Sequence, residues 1–165
     1  MGRIFVEPAR VLADFSLAAL DVLGMTRAEF AELHGEALMW KRLREARDFY
    51  AGLGWKLGGK TLWKELHEST TWSGPKPMLL AAIPMWGCAG MRAWVAEHLG
   101  GGVATLCCGP TEKASFCCAG DILIDADEAP RLDWETAGGR FILHTTATAS
   151  LAALAEIIAE PAAAE

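Results

Sequence analysis

The chain has 165 residues, of which 52% are hydrophobic and 22% charged, and its formal net charge is −6. This length and composition predict one well-packed globular domain, with room for a small inserted subdomain, and exclude a disordered chain. A nucleic acid polymer is disfavoured as a partner, because phosphates are bound by clustered positive charge and the most basic run is only Trp40–Arg44.

The N-terminus lacks a basic region followed by an apolar core and a small-residue cleavage site, so we expect no signal peptide. No apolar run approaches the roughly 18 residues that span a bilayer, and we expect no membrane partner. The five cysteines include two adjacent pairs, which do not suit a disulfide framework. These features predict a protein of the reducing cytoplasm.

Short apolar runs recur along the chain with the length of β-strands. They lie at Ile4–Val6, Met78–Ile83, Val103–Cys107, Ile122–Ile124 and Phe141–Leu143. Segments of helical period separate the later runs, which favours βαβ units and a parallel sheet. The run Leu79–Ile83 is apolar without interruption, as expected of a strand that is buried on both faces.

Residues from about 17 to 72 contain no convincing strand. Thr26-Arg27-Ala28-Glu29 is a capping box that begins a helix. Two further apolar faces follow, formed by Leu38, Leu43, Ala46 and Tyr50 and by Leu62 and Leu66. We therefore expect a helical cap over the carboxyl edge of the sheet, where open α/β sheets place ligands.

The predicted fold class is α/β, a three-layer Rossmann-like sandwich of about five parallel strands with a small helical cap inserted after the first strand. The core takes residues 1–16 and 73–160, and the cap takes residues 17–72. Leu151, Leu154, Ile157 and Ile158 share one face of the last helix, which Pro161 ends. The low-complexity tail 161–165 is expected to be frayed.

Several segments form an ordered set of motifs. They are Val11–Phe15 after the first strand, Phe49–Trp55 and Gly59–Trp63 in the cap, Ala81–Pro84 in the second strand, and Lys113–Cys117 before Asp121–Asp125. In this order they resemble the haloacid dehalogenase superfamily of phosphohydrolases over about residues 3 to 150. The most similar branch is the 5′(3′)-deoxyribonucleotidases, which include phage-encoded members. The alternative is a generic Rossmann-like strand and loop.

The resemblance implies three catalytic positions. In active relatives an aspartate after the first strand attacks phosphorus, and a second aspartate two residues later transfers a proton. Here Glu7 takes the first position, with a side chain one methylene longer, and Ala9 takes the second and cannot transfer a proton. Lys113 matches the lysine that neutralises nucleophile and phosphate. We expect these positions to be inactive.

The resemblance also implies positions that bind the ligand. Arg10 replaces a glycine in the loop, and Ala81 stands where a Thr or Ser hydroxyl would bind phosphate, followed by Ala82. Lys113 is the candidate cation for the phosphate. Cap aromatics stack on the base in the nucleotidase branch, so Phe15, Phe49 or Trp55 could line a nucleoside site, although packing is the favoured interpretation.

The fourth motif would hold Mg²⁺ with adjacent acids, but it has the sequence Asp125-Ala126-Asp127. Asp125 is retained and Asp127 is one position late, so the metal site is expected to be lost, because Mg²⁺ needs its carboxylates in near-octahedral order. We expect no cofactor, or Mg²⁺ if the protein is active. The remaining acids Glu7 and Asp125 are predicted to form a closed ion cluster with Lys113.

Other polar side chains are interpreted as structural. Adjacent cysteines point in different directions, so one cysteine of each pair, Cys107-Cys108 and Cys117-Cys118, is assigned to the core, and a zinc site is not expected. The histidines, which lack partners at ligand spacing, are interpreted as surface or capping residues; they are His34, His67, His98 and His144.

The sequence thus predicts a catalytically inactive phosphatase-like protein that acts in binding or in structural assembly. Its partner would be a nucleotide-like small molecule or another protein. It would act in the cytoplasm, or in the host cytoplasm or virion if it is phage-encoded. The alternative is an active Mg²⁺-dependent 5′-nucleotidase or small phosphate-ester phosphatase.

Overall fold

The computed structural model describes residues 2–68 and 74–160. Five strands in this part of the chain form one sheet: β1 Ile4–Val6, β2 Met78–Ala82, β3 Thr105–Cys108, β4 Ile122–Asp125 and β5 Arg140–Leu143. Their order is β3-β2-β1-β4-β5, and every neighbouring pair is parallel. The predicted α/β class with five parallel strands is confirmed.

The predicted strand positions are correct, but some ends differ. Strand β3 begins at Thr105 rather than Val103, because the Val103 N–H bonds to the carbonyl of Gly100 in a turn. Gly100 has a φ of 100°, a left-handed conformation that favours glycine. The turn therefore takes up two residues that the apolar pattern assigns to the strand.

Alternate residues of the strands pack into two separate apolar layers. Ile4, Val6 and Ile124 face the larger layer, whereas Phe5 and Leu123 face the smaller one. This alternation follows from the period of two in a strand, which points neighbouring side chains to opposite faces of the sheet. Both faces are buried, which explains why the strands are apolar without interruption.

Seven α-helices occur in the described residues: α1 Phe15–Leu23, α2 Arg27–His34, α3 Glu36–Glu45, α4 Gly59–Glu68, α5 Cys88–His98, α6 Arg131–Thr136 and α7 Ala147–Ala159. Helices α4, α5 and α7 contribute to the larger apolar layer, and α6 buries Trp134 in the smaller one. The sheet thus lies between two layers of helices, as the predicted three-layer sandwich requires.

The segment between β1 and β2 begins with three short helices. Thr26 forms the predicted capping box with Glu29 at the start of α2. Helix α3 ends at Glu45, so Tyr50 does not belong to its apolar face as predicted, and Asp48, with a φ of 51°, lies in the turn that follows. Helix α4 packs against α7 and the loop after β1, so this part of the inserted segment lies with the core.

The predicted boundary between cap and core at 72/73, and the tail 161–165 with Pro161, lie outside the described residues. Within them, no helix combines the length and the apolar character needed to cross a membrane.

Candidate functional site

The loops after β1 and β4 meet where the sheet reverses its order. From β1 the chain builds outward through β2 and β3, and then returns to place β4 on the other side of β1. Crevices at such switch points, outside the carboxyl ends of the strands, are where open α/β sheets bind ligands. Glu7 directly follows β1 and Asp125 is the last residue of β4, so both carboxylates lie at this point.

The Glu7 side chain turns back onto its own loop, a π-helical turn at Pro8–Leu12. Its carboxylate oxygens accept hydrogen bonds from the backbone N–H groups of Ala9, at 3.2 Å, and Arg10, at 2.8 Å. Pro8 has no N–H, so these are the first donors available after Glu7. The carboxylate is fully buried and acts as the cap of the turn.

Lys113 and Asp125 form a buried ion pair beside this loop. Lys113 begins a short 3₁₀ turn at Lys113–Phe116, and its ammonium donates to one oxygen of Asp125. The other oxygen accepts a hydrogen bond from the N–H of Asp127 at 2.9 Å. The predicted ion cluster therefore forms only in part, because Glu7 is bound by backbone amides rather than by the ammonium.

Arg10, which is partly exposed, connects the loop after β1 to the loop after β4. Its guanidinium donates to Asp127 at 3.0 Å, and its Nε lies 3.9 Å from a Glu7 oxygen. Burial raises the pKa of the Glu7 carboxyl above its ordinary value, opposed by the charge of Lys113 and reinforced by that of Asp125. The pKa of Asp127 is lowered by the N–H of Ala129 and by Arg10.

The carboxylate oxygens of this site are all engaged in hydrogen bonds within the protein. Both oxygens of Asp125 already accept hydrogen bonds, those of Asp127 accept from Arg10 and Ala129, and those of Glu7 accept from backbone amides. A hard cation would have to compete with these donors for the oxygens. In residues 2–68 and 74–160, no group of three or more His, Cys, Asp or Glu side chains is placed to hold a metal ion.

A cavity of about 190 Å³ opens between these loops and the cap. Glu7, Ala9, Arg10, Ala82 and Asp127 line it from the side of the sheet. The resemblance predicts a proton donor at position 9, but the side chain there is the methyl group of Ala9. This part of the cavity wall therefore contains no acid. Lys113 and Asp125 do not line the cavity.

The predicted ligand residues divide into two groups. Ala82 and Phe15 line the cavity, whereas Ala81 faces the larger apolar layer and is fully buried. Phe49 packs edge-to-face against Phe15, with ring centroids 5.4 Å apart, and lies outside the cavity wall. Trp55 packs against Trp94 at 5.0 Å.

Four cap residues that sequence reasoning did not assign to the site also line the cavity, and they are Arg27, Glu36, Trp40 and Tyr50. The sequence pattern indicates a role for Arg27 only as part of the capping box of α2. Glu36 and Trp40 are four residues apart on α3 and joined by a hydrogen bond of 3.1 Å, a spacing that could have indicated a shared surface. Burial, with the nearby charge of Glu7, raises the pKa of Tyr50, so its hydroxyl stays protonated.

The interpretation of His144 as a surface or capping residue is wrong. Its ring is buried at the end of β5, and Nδ1 lies 2.8 Å from the hydroxyl of Ser150, which is fully buried in α7. Burial lowers the pKa of His144, and the charge of Lys56 adds to this effect. The pair therefore joins β5 to α7 inside the protein and is closed to a substrate.

No protein-family model matches the chain, and no curated protein matches it significantly.

Proposed function

We propose that this protein is a catalytically inactive relative of phosphohydrolases that works by binding, with its ligand site in the cavity under the cap. The proposal rests on the resemblance of the motifs and on one structural observation, the bonding of the Glu7 carboxylate to the N–H groups of Ala9 and Arg10. We place it in the cytoplasm, where its five free cysteines would remain reduced.

The geometry of Glu7 opposes covalent catalysis. A nucleophilic carboxylate must present a free oxygen in line with phosphorus, but both oxygens of Glu7 accept backbone hydrogen bonds. The same amides would be needed to cradle a phosphate, so Glu7 occupies the place of the substrate anion. The methyl group of Ala9 supplies no proton, and loss of a general acid alone costs about 10²–10⁴-fold in rate.

The cavity supports a role in binding. It combines guanidinium groups from Arg10 and Arg27 with the aromatic rings of Phe15, Trp40 and Tyr50. Sites for small molecules are typically concave, mostly apolar and equipped with a few polar groups. A nucleotide-like molecule, with a planar part and an anionic part, carries the chemistry that this wall complements.

Hydrolysis assays test the proposal. We expect the protein to release no phosphate from nucleoside monophosphates or p-nitrophenyl phosphate in the presence of Mg²⁺. The combined variant Glu7→Asp, Ala9→Asp, Ala82→Thr and Ala126→Asp should gain measurable turnover, with position 82 chosen because Ala82 lines the cavity whereas Ala81 is buried in the apolar layer. The matched control restores the other three positions but keeps Ala9, and it should stay at least about 10²-fold slower because the proton donor is still missing.

Turnover by the unaltered protein that disappears in Glu7→Gln would contradict the proposal. It would show that Glu7 leaves its amides and attacks phosphorus, and the active phosphatase would then be the correct assignment.

A further inference from the structure

Arg27 lines the cavity and forms no ion pair or hydrogen bond through its side chain within residues 2–68 and 74–160. It is the first residue of α2, and its guanidinium carbon lies 5.0 Å from the ring centre of Phe15 and 5.4 Å from that of Trp40. Its Nε atom is buried and has no hydrogen-bond acceptor among the described residues. Planar guanidinium groups stack on aromatic rings in this way and keep their N–H edge available for a carboxylate or a phosphate.

The acids around Arg27 contribute favourable charge, but each has another direct hydrogen-bond donor. Glu36 accepts a hydrogen bond from the indole of Trp40 at 3.1 Å, and Asp127 is held by Arg10 at 3.0 Å. Glu7 is bound to its own loop. Burial lowers the pKa of Arg27 and the charge of Arg10 lowers it further, and the charges of Glu36 and Asp127 oppose this only in part, so the two guanidinium groups repel each other across the cavity. An anion placed between them would remove that repulsion.

The rest of the wall favours a flat, small molecule. Phe15 packs against Trp40 and Tyr50, at 6.3 and 5.8 Å between ring centres, so the three rings form one continuous aromatic wall of the cavity. The cavity of about 190 Å³ is below the 300–1,000 Å³ of typical drug-sized sites. An apolar cavity of about 150 Å³ is enough for benzene. The space therefore suits a single ring with one small substituent.

We propose that the cavity binds a single-ring aromatic anion, whose carboxylate or phosphate-type group pairs with Arg27 on the cap rather than with the loop after β1. This inference rests on the proposed function and specifies the ligand of that site. The anion cannot use the amides of Ala9 and Arg10, because Glu7 occupies them. Arg27 is then a binding residue, and Phe15 and Trp40 hold its guanidinium in place for the ligand.

Calorimetric titration with three probes tests this inference. Benzoate and phenylphosphonate carry the two kinds of anionic group, and benzyl alcohol is the neutral control of similar size. We expect at least one anion to bind about tenfold or more tightly than benzyl alcohol, and to quench the fluorescence of Trp40. The tighter of the two anions identifies the head group.

Two variants and one control assign the effect to Arg27. Arg27→Gln should weaken the anion by about tenfold or more and leave benzyl alcohol unchanged, while Arg27→Lys should give an intermediate loss because it keeps the charge without the planar fork. Arg47→Gln removes an arginine that is 96% exposed and should change nothing. Circular dichroism of each variant reports whether the fold is retained.

Three outcomes would overturn the inference: neither anion binds, benzyl alcohol binds as tightly as the anions, or anion affinity survives unchanged in Arg27→Gln. These failures are distinct from failure of the proposed function. Hydrolysis of a phosphate ester would contradict catalytic inactivity and leave the Arg27 site standing. Absence of Arg27-dependent binding would contradict the site and leave the inactivity standing.

Discussion

The ammonium of Lys113 is bonded directly to the carboxylate of Asp125, and solvent reaches almost none of either side chain. The two residues come from separate elements, a 3₁₀ turn after β3 and the end of β4. Each charge is compensated directly by the other, while Glu7 also attracts Lys113 and Arg10 also attracts Asp125 from a greater distance. The pair therefore fixes the positions of two loops that border the cavity, and it makes each partner dependent on the other.

Substitution Lys113→Met should lower the free energy of unfolding by about 3–5 kcal/mol, because it leaves the buried Asp125 carboxylate without its direct ion-pair partner. Equilibrium unfolding in urea measures the change. The double variant Lys113→Met with Asp125→Leu should recover most of the loss, since an apolar pair can replace a buried ion pair. A double variant as unstable as the sum of the single changes would show that the two side chains act independently.

Glu7→Gln should destabilise the protein by about 1–3 kcal/mol, because the amide can accept from only one of the two backbone donors. The pKa of Glu7 is raised in the native state, so its contribution to stability is complete below the ordinary glutamate pKa. That contribution falls as pH rises through the native pKa. The difference between wild type and Glu7→Gln should therefore shrink with increasing pH.

Unfolding free energies of wild type and Glu7→Gln, measured from below the ordinary glutamate pKa to above the native one, test the direction of the Glu7 pKa shift. Glu97→Gln, at an exposed position of α5, is the matched control. A difference that grows with pH would mean that the Glu7 pKa is lowered and that the ionised form is the preferred one.

Gly59 allows α4 to approach the loop after β1. A Cβ at this position would lie 2.4 Å from the backbone oxygen of Leu12, which cannot move without shifting the loop. Gly59→Ala should cost about 1–3 kcal/mol, whereas Gly54→Ala, with nothing within 4 Å of the added atom, should stay within about 0.5 kcal/mol. The thermal unfolding midpoints of the two variants measure this difference. Equal midpoints would contradict a close approach of Gly59 to Leu12.

Asp121 ties the start of β4 to the start of β1. Burial raises its pKa, but hydrogen bonds from the Arg3 side chain and from the backbone of Arg3 and Cys118 outweigh this and lower it overall. The stabilisation is therefore present above the ordinary aspartate pKa and is lost as pH falls through the native pKa. Asp121→Asn should cost about 1–3 kcal/mol at neutral pH and much less in acid, with exposed Glu65→Gln as control.

The sheet was predictable from the sequence because its strands are buried on both faces. An uninterrupted apolar run such as Leu79–Ile83 indicates such a strand without any information about the neighbouring strands. The meeting of Glu7 and Asp125 was predicted through the motif resemblance, and the structure places both residues at the carboxyl ends of neighbouring parallel strands. The direction of the Glu7 carboxylate was not predictable, because it depends on a π-helical turn whose first available donors follow Pro8.

The residues that the cap contributes to the cavity were not predictable from the sequence. Arg27, Trp40 and Tyr50 are separated along the chain and meet only through the packing of α1, α2 and α3. Tyr50 was assigned to a helix face, but the chain leaves helix α3 before it, at Glu45. His144 gave no local signal either, because its partner Ser150 lies in the next helix.

The central claim is that Glu7 does not act as a nucleophile, and intact-protein mass spectrometry tests it most directly. The protein is incubated with acetyl phosphate or nucleoside monophosphates and Mg²⁺, quenched in acid and examined for a covalent phosphoryl group. We predict that its mass stays unchanged, because both oxygens of Glu7 are bound to the loop. A phosphorylated peptide that contains Glu7 would contradict the account.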